Sequence, residues 1–541
     1  MLPAYTVVFY LLIGIEVIMN STTLTEHIGQ MFACGFPGTE MPEDFIALVK
    51  KYKVGNVILF KHNITSLAQL KTLCADIQTL ITAETGHPAF ITIDQEGGAV
   101  SRLAEDYYNV PGAMALAATG DEMNAYTAGK ITGEILHAHG VNFDLAPVLD
   151  VNSNPHNPVI GVRSYGDDPT LVGRYGLQMV RGLTAVGVLS AAKHFPGHGD
   201  TSVDSHLTLP TVRKSRAELE QMEIAPFAQV IKTGLLPAVT ISHILFPAID
   251  EQFPATISKK IVTGLLKEEL RFNGLVISDC MEMKAMQTYF GTAESAAAAI
   301  NAGIELIFIS HTIPTACAAI ETVTRACADK QIAAATIEQA AGKIIGLKKQ
   351  LKPAQPLPEK TMEEYGKTIA SLRRKTLTGY HLPESGFPNL GDKPFFAGPQ
   401  PFIVTNVSND VDKSISFAQS MQTAFGGTGI DTSIDPDEAE IARIVAQAES
   451  ATGIAAASYN GHVKQGQLKL IQALARLHKP MIAVALRNPY DLGCLPDTVC
   501  GLAAYEYSNA VLSCITEMLK TNAKPEGHFS VAIPKIILKY L

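Results

Sequence analysis

Eight short apolar runs, at 31–35, 57–60, 90–94, 143–146, 189–193, 238–242, 275–278 and 306–309, alternate with helical patterns between residues 30 and 350. This alternation limits the fold more than any other feature. Runs of four or five residues, too short for helices and bounded by turn residues, read as strands buried on both faces. Eight strand–helix units in one stretch predict a (β/α)8 barrel of the TIM type. Such a barrel gathers its chemistry at the C-terminal ends of its strands. Here the third run ends in Asp94-Gln95-Glu96-Gly97-Gly98, and the fourth leads on to Asp150 and Arg163. The fifth ends in Lys193-His194, the sixth reaches His243, and the seventh ends in Ser278-Asp279. Polar residues cluster just after the apolar runs and seldom just before them.

The chain is long enough for a second domain. A Pro-rich break over 351–358 reads as a linker, followed by a helix from Thr361 to about Leu377. Apolar runs then resume at 402–405, 453–456, 481–485 and 501–504, which predicts a smaller αβα sandwich with a mostly parallel sheet. The glycines at 426–429 lack the Lys-Ser/Thr of a phosphate loop and read as a turn. The predicted α/β organisation is an extension over 1–19, a barrel over 20–350, a linker and connecting helix over 351–378, and a sandwich over 379–541. Residues 7–18 are apolar, but no Lys or Arg precedes them and Glu16 interrupts them, so neither a signal peptide nor a stable membrane partner is expected. Thr23 and Glu26 have capping-box spacing for a first helix.

Composition narrows the classes of function. Forty-three basic and 52 acidic residues give a net charge of −9, without long runs of either sign. No basic stripe suggests nucleic acid. The eight cysteines show no Cys-x-x-Cys spacing, which suits reduced thiols in the cytoplasm better than disulfides or a zinc site.

The fifth run opens a loop that holds Lys193, His194, His198, Asp200, Asp204 and His206 within fourteen residues. Long loops rich in titratable groups and hung on a rigid strand are frequent sites of chemistry. Asp204 can orient and polarise His206, and a histidine near neutrality can give and then withdraw a proton. The same pair could also simply pin a surface loop. Asp279 reads as a helix N-cap or as a nucleophile aimed into the barrel mouth. Asp94, Arg102, Arg163, Lys193 and His194 offer the donors and acceptors that a polyhydroxylated ligand needs on leaving water. Ion pairs of Arg163 or Lys193 with Asp94 or Asp150 are the structural alternative. His198 and Asp200 fit a stiffening role. His194 and His198 have ligand-like chemistry, but the Pro-Gly between them breaks the helical spacing, so no metal is expected. No cofactor is expected either.

Segments 93–98, 161–166, 193–200 and 204–206, with Ser278-Asp279, resemble glycoside hydrolase family three, in its β-N-acetylglucosaminidase branch. The segments 486–492 and 505–507 resemble the second domain of the family's two-domain members. The resemblance implies a retaining exo-β-N-acetylhexosaminidase in which Asp279 forms a covalent glycosyl-enzyme. His206, oriented by Asp204, then takes the place of the usual carboxylic acid/base. It also implies that Asp94, Arg102, Arg163, Lys193 and His194 grip the N-acetylglucosamine hydroxyls, with His243 close to the sugar. The chain departs from the family pattern at Ala99-Val100 and at Lys61-His62-Asn63, both on the aglycone side. Because an imidazole does not repel a phosphate dianion as a carboxylate would, phosphate as acceptor is the alternative to water. A non-catalytic amino-sugar-binding barrel is the alternative of another class. The natural glycoside stays open between a muropeptide of peptidoglycan recycling, a chitin fragment and another glycoconjugate, and so does the oligomeric state.

Overall fold

A computed structural model describes residues 21–103, 108–201, 209–402 and 414–537. The eight expected strands are all present: β1 Phe32–Cys34, β2 Asn56–Leu59, β3 Phe90–Ile93, β4 Phe143–Asp144, β5 Leu189–Phe195, β6 Ala238–Ile241, β7 Leu275–Cys280 and β8 Leu306–Ile309. Each pairs in parallel with its neighbour, and β8 returns to β1 with Ala33 opposite Phe308, closing the barrel. Strands buried inside and outside carry almost no polar residues, which is why β1, β2, β3 and β8 are fully buried. Each fully buried Leu, Ile or Phe in them contributes roughly 1.5–3 kcal/mol through removal from water.

The covering helices start and stop on local signals. Leu67–Thr85 opens where the Ser66 hydroxyl accepts from the Gln69 backbone amide at 3.1 Å, and closes on Gly86 at φ 71°. Pro169–Ala185 begins with Asp168 as N-cap and proline in its first turn. The first described helix, Ser21–Gln30, already contains Thr23, so the spacing of Thr23 and Glu26 does not open it. Among the described residues no helix is long and apolar enough to cross a membrane.

The helix Glu359–Thr376 leads into a six-stranded sheet of β9 Thr378–Tyr380, β10 Pro394–Pro399, β11 Thr428–Thr432, β12 Gly453–Ser458, β13 Met481–Ala485 and β14 Cys500–Ala503. Their spatial order is β11-β10-β12-β13-β14-β9, with only β9 antiparallel. Alternate residues face opposite layers, as the two-residue period of a strand requires. Phe395, Ile454, Ala456 and Ala483 pack with the helices Glu438–Ala448 and Gln465–Ala475. Phe396, Ala455, Ile482 and Val484 pack with Phe417–Phe425 and Asn509–Thr521. The first layer also takes in Met114, Ala115, Ala118 and Val162 from the barrel, so its apolar cluster spans both units.

The strand expected at 402–405 falls, for 403–405, outside the described residues, and β10 at Pro394–Pro399 is a strand that was not expected. The glycines at 426 and 427 do form a turn at positive φ, but β11 begins immediately after them at Thr428.

Candidate active site

At the C-terminal end of the barrel lies a cavity of about 530 Å³. Asp94, Arg102, Arg163, Lys193, His194 and Asp279 all line it, so residues from five separate stretches of sequence meet in one place.

β7 continues through Asp279 to Cys280, and its register against β8 shifts between Ile277 and Cys280. Such irregularities re-aim side chains at strand ends. The next helix, Lys284–Gln287, is capped at Met283. Asp279 is therefore a strand residue facing a cavity and not a helix N-cap, and its Oδ1 accepts from the Cys280 backbone amide at 2.7 Å.

Opposite this end stands a dense ionic cradle. Lys193 Nζ lies 2.6 Å from Asp94 Oδ1 and 2.6 Å from Glu96 Oε1. Arg163 grips Glu96 with both arms, Nε to Oε2 at 2.8 Å and a terminal nitrogen to Oε1 at 2.7 Å. Arg102 stands 3.8 Å from the second Asp94 oxygen. Of the two ion pairs expected here, Lys193–Asp94 is present, whereas Arg163 uses Glu96 in place of Asp94 or Asp150. Burial alone would push the Glu96 carboxyl up, but the charges of Arg163 and Lys193 outweigh it and hold Glu96 well below the usual carboxylate range. Lys193 shows the mirror image: burial disfavours its charge, while Asp94 and Glu96 raise its pKa above the ordinary lysine value. Glu96 and Lys193 thus face each other as fixed opposite charges near neutrality.

A second polar centre orders the start of the fifth loop. Asp150, fully buried, accepts from His194 Nδ1 at 2.7 Å and from the backbone amides of His194 and His198 at 3.2 and 2.7 Å. Burial would raise the Asp150 carboxyl, yet the facing His194 keeps it below its ordinary value. His194, with Nδ1 committed to Asp150, also lines the cavity. His198 also borders the cavity, and its Nδ1 lies 2.8 Å from the Thr201 hydroxyl. Burial, reinforced by His194, pulls its pKa down to about 4, so it is neutral at physiological pH. Asp200 pairs with Lys214 at 3.4 Å, and Lys214 with the buried Glu223 at 2.8 Å. These contacts fit the stiffening role read for His198 and Asp200.

Two expectations differ or fall elsewhere. His243 is not among the residues lining the cavity. Its Nδ1 meets the Thr256 hydroxyl at 2.6 Å and its Nε2 the Cys280 carbonyl at 2.9 Å, next to Asp279 in sequence. Asp204 and His206 lie outside the described residues. Sequence reasoning passed over Glu96 and Asp150 as site residues. Both follow apolar runs by only a few positions, and that spacing was the available signal. Among the described residues no three His, Cys, Asp or Glu side chains group so as to hold a metal ion.

The cavity is also lined by Phe60, Lys61, His62, Glu282 and His311. Lys61 Nζ donates to the Leu103 carbonyl at 2.5 Å, and the His311 amide donates to Glu282 at 2.7 Å. The Phe60 and His311 rings lie 4.8 Å apart. Lys61 and His62 belong to the stretch that departs from the family pattern.

Comparison with known proteins agrees with this geometry. Residues 23–347 match the Glycosyl hydrolase family 3 N terminal domain. Over 289 residues the chain is 37% identical to Beta-hexosaminidase A of Pseudoalteromonas piscicida, a match that covers 50% of this chain and spans about half, 48%, of that protein. It is 35% identical over 265 residues to a Beta-hexosaminidase of Neisseria meningitidis, covering 48% of this chain and 72% of that one. Among solved structures, a glycoside hydrolase family 3 beta-N-acetylglucosaminidase from Paenibacillus sp. superposes with a TM-score of 0.88 at 34% identity, over 95% of this chain and 99% of the other.

Proposed function

The chain belongs to glycosyl hydrolase family 3, and from that premise we propose that it is a retaining β-N-acetylglucosaminidase that removes terminal N-acetylglucosamine from β-glycosides. Asp279 attacks the anomeric carbon, and the glycosidic bond breaks toward the leaving oxygen. His206, oriented by Asp204, delivers the proton that this oxygen needs. The product of the first step is a covalent ester between Asp279 and the sugar. In the second step His206 takes a proton from water, whose oxygen displaces Asp279 and restores the original configuration.

One observation carries this reading. Asp279 sits on a strand end and lines one cavity with Asp94, Lys193 and Arg163, whose charges are tied together through Glu96. Such a cluster offers fixed acceptors and donors to ring hydroxyls, while Asp279 is positioned toward the anomeric carbon of a sugar held there. The names of the two curated relatives and of the Paenibacillus structure support N-acetylhexosamine as the sugar and water as the acceptor. We place the protein in the cytoplasm on its cysteines, all eight of which are free thiols.

Incubation with a ring-fluorinated N-acetylglucosaminyl fluoride, which slows the second step more than the first, tests the covalent intermediate. The intact mass is expected to rise by one fluorinated sugar, and peptide mapping to place the adduct on Asp279. A label on any other residue contradicts the assignment.

A further inference from the structure

The stretch 150–166, between β4 and the helix Pro169–Ala185, is wedged between the barrel's reactive end and the second domain. On the barrel side it holds the loop that follows β5. Asn157 is buried, and its Nδ2 donates to the carbonyls of His198 and Gly199 at 2.8 Å each and lies 3.3 Å from the Thr201 hydroxyl. Its Oδ1 accepts from the amides of Val159 and Ile160 at 2.9 Å each. One amide thus ties the fifth loop to the turn that delivers Arg163. Gly199 is pressed so closely on Val151 that an added Cβ would fall 1.6 Å from the Val151 carbonyl oxygen. The two stretches have no room to slide past each other.

On the other side the same stretch leans on the second domain. The Asn152 side chain donates to the Tyr490 hydroxyl. Gly161 meets Asn488, where an added Cβ would lie 2.7 Å from Oδ1. Val162 shares an apolar cluster with Tyr490 and Leu492. Tyr490 belongs to the turn Pro489–Cys494, which is knotted to the end of β12 by buried Asp491. Asp491 accepts from the Ser458 hydroxyl at 2.7 Å, from the Gly461 amide at 2.8 Å, and from the His462 amide and Nδ1 at 2.7 and 2.8 Å. Charged acceptors with four donors make stiff local structure.

We propose that the second domain is a fixed abutment for the catalytic loop, and that Tyr490 and Asn157 are positioning residues for proton transfer. The load path runs from the Asp491 knot to Tyr490, through Asn152 and the 150–166 stretch, and through Asn157 to His198, Gly199 and Thr201. The chain that continues from Thr201 carries Asp204 and His206, so the proposal rests on the glycosidase reading above. A general acid must meet the leaving oxygen within hydrogen-bond reach, and a displacement of about 1 Å in a reacting group costs on the order of a hundredfold in rate.

The test compares two substrates that differ in their need for an acid. A dinitrophenyl β-N-acetylglucosaminide leaves as a stable phenolate without a proton, whereas a β-linked N-acetylglucosamine disaccharide cannot. Tyr490→Phe removes one hydroxyl and keeps the ring in its apolar cluster. It is expected to lose about tenfold in kcat/KM, which reports the first step alone, on the disaccharide and less than about threefold in kcat/KM on the dinitrophenyl substrate. Asn157→Asp, which sets a carboxylate against two carbonyls, is expected to widen that gap to about a hundredfold. Inhibition by free N-acetylglucosamine, which reports the cradle, should stay unchanged in both. Should Asn157→Asp lower the unfolding midpoint, the Tyr490→Phe ratio alone decides. Equal losses on the two substrates, or none, would overturn the proposal. A wild-type protein inactive on both substrates would instead remove the glycosidase reading, and the proposal with it.

Discussion

Asp279→Ala is expected to lower kcat on an aryl β-N-acetylglucosaminide by about 10⁴-fold or more, a loss of about 5.5 kcal/mol in transition-state stabilisation. The size follows from the role assigned to the residue. Without a nucleophile the two-step displacement has no first step, and what remains is binding plus whatever stabilisation the cradle gives to positive charge at the anomeric centre. The fold should not suffer. Asp279 is partly exposed, its Oδ1 accepts a hydrogen bond from its own neighbour, and the strand around it is held by parallel ladders on both sides. Circular dichroism and the unfolding midpoint should match wild type. Azide, a small anionic nucleophile that fits the space left by the carboxylate, should restore part of the turnover and yield a glycosyl azide of inverted configuration. Activity within tenfold of wild type would mean that another group attacks the sugar.

Glu96→Gln has the second largest expected effect, and it falls on stability as well as on activity. The substitution keeps the shape and removes the charge that faces two buried cations. Lys193 retains Asp94 at 2.6 Å, but Arg163 loses the carboxylate that meets both its arms and keeps only neutral acceptors, the remaining amide oxygen and the Val159 carbonyl at 3.3 Å. Leaving one member of a buried ion pair uncompensated costs about 3–5 kcal/mol. The pH dependence follows from the depressed Glu96 pKa. Because the unfolded chain binds a proton at this residue more readily than the folded one, its contribution is complete above the ordinary glutamate value of 4.5 and is lost as pH falls through the lower folded value. Urea unfolding should therefore show a large gap between wild type and Glu96→Gln at pH 7 that narrows progressively below about pH 4.5. A gap that widens in acid would contradict the charge assignment. The Michaelis constant should rise too, since Arg163 and Lys193 lose the anchor that aims them.

Buried parallel strands are easy to read because both faces demand apolar side chains, and all eight barrel strands were legible in this way. The second sheet was harder. β10 begins and ends in proline and contains Gly398, so it lacks the usual strand composition. β11 is a half-exposed edge strand of Thr, Gly, Ile and Asp that shows no apolar run. β9 is three residues long and is held by a ladder to β14 that local sequence cannot reveal. At the site, position at a strand's C-terminal end pointed to Asp94, Lys193, His194 and Asp279, and the long stretch after β4 to Arg163, since barrel topology turns sequence position into place. Pairing was another matter. Glu96 sits 67 residues from Arg163 and reads locally as part of a glycine turn, and only the closed barrel brings the two together. His243 shows the same limit, because a histidine after a strand can line the cavity or pack beside it, and His243 meets Thr256 and the Cys280 carbonyl without lining the cavity.

The most direct test of the account is the first product formed from p-nitrophenyl β-N-acetylglucosaminide, followed by proton NMR with and without millimolar phosphate. Free N-acetylglucosamine is expected to be released first as the β anomer, at a rate that phosphate does not change. An α anomer appearing first, or N-acetylglucosamine 1-phosphate whose rate of formation climbs with added phosphate, would contradict it.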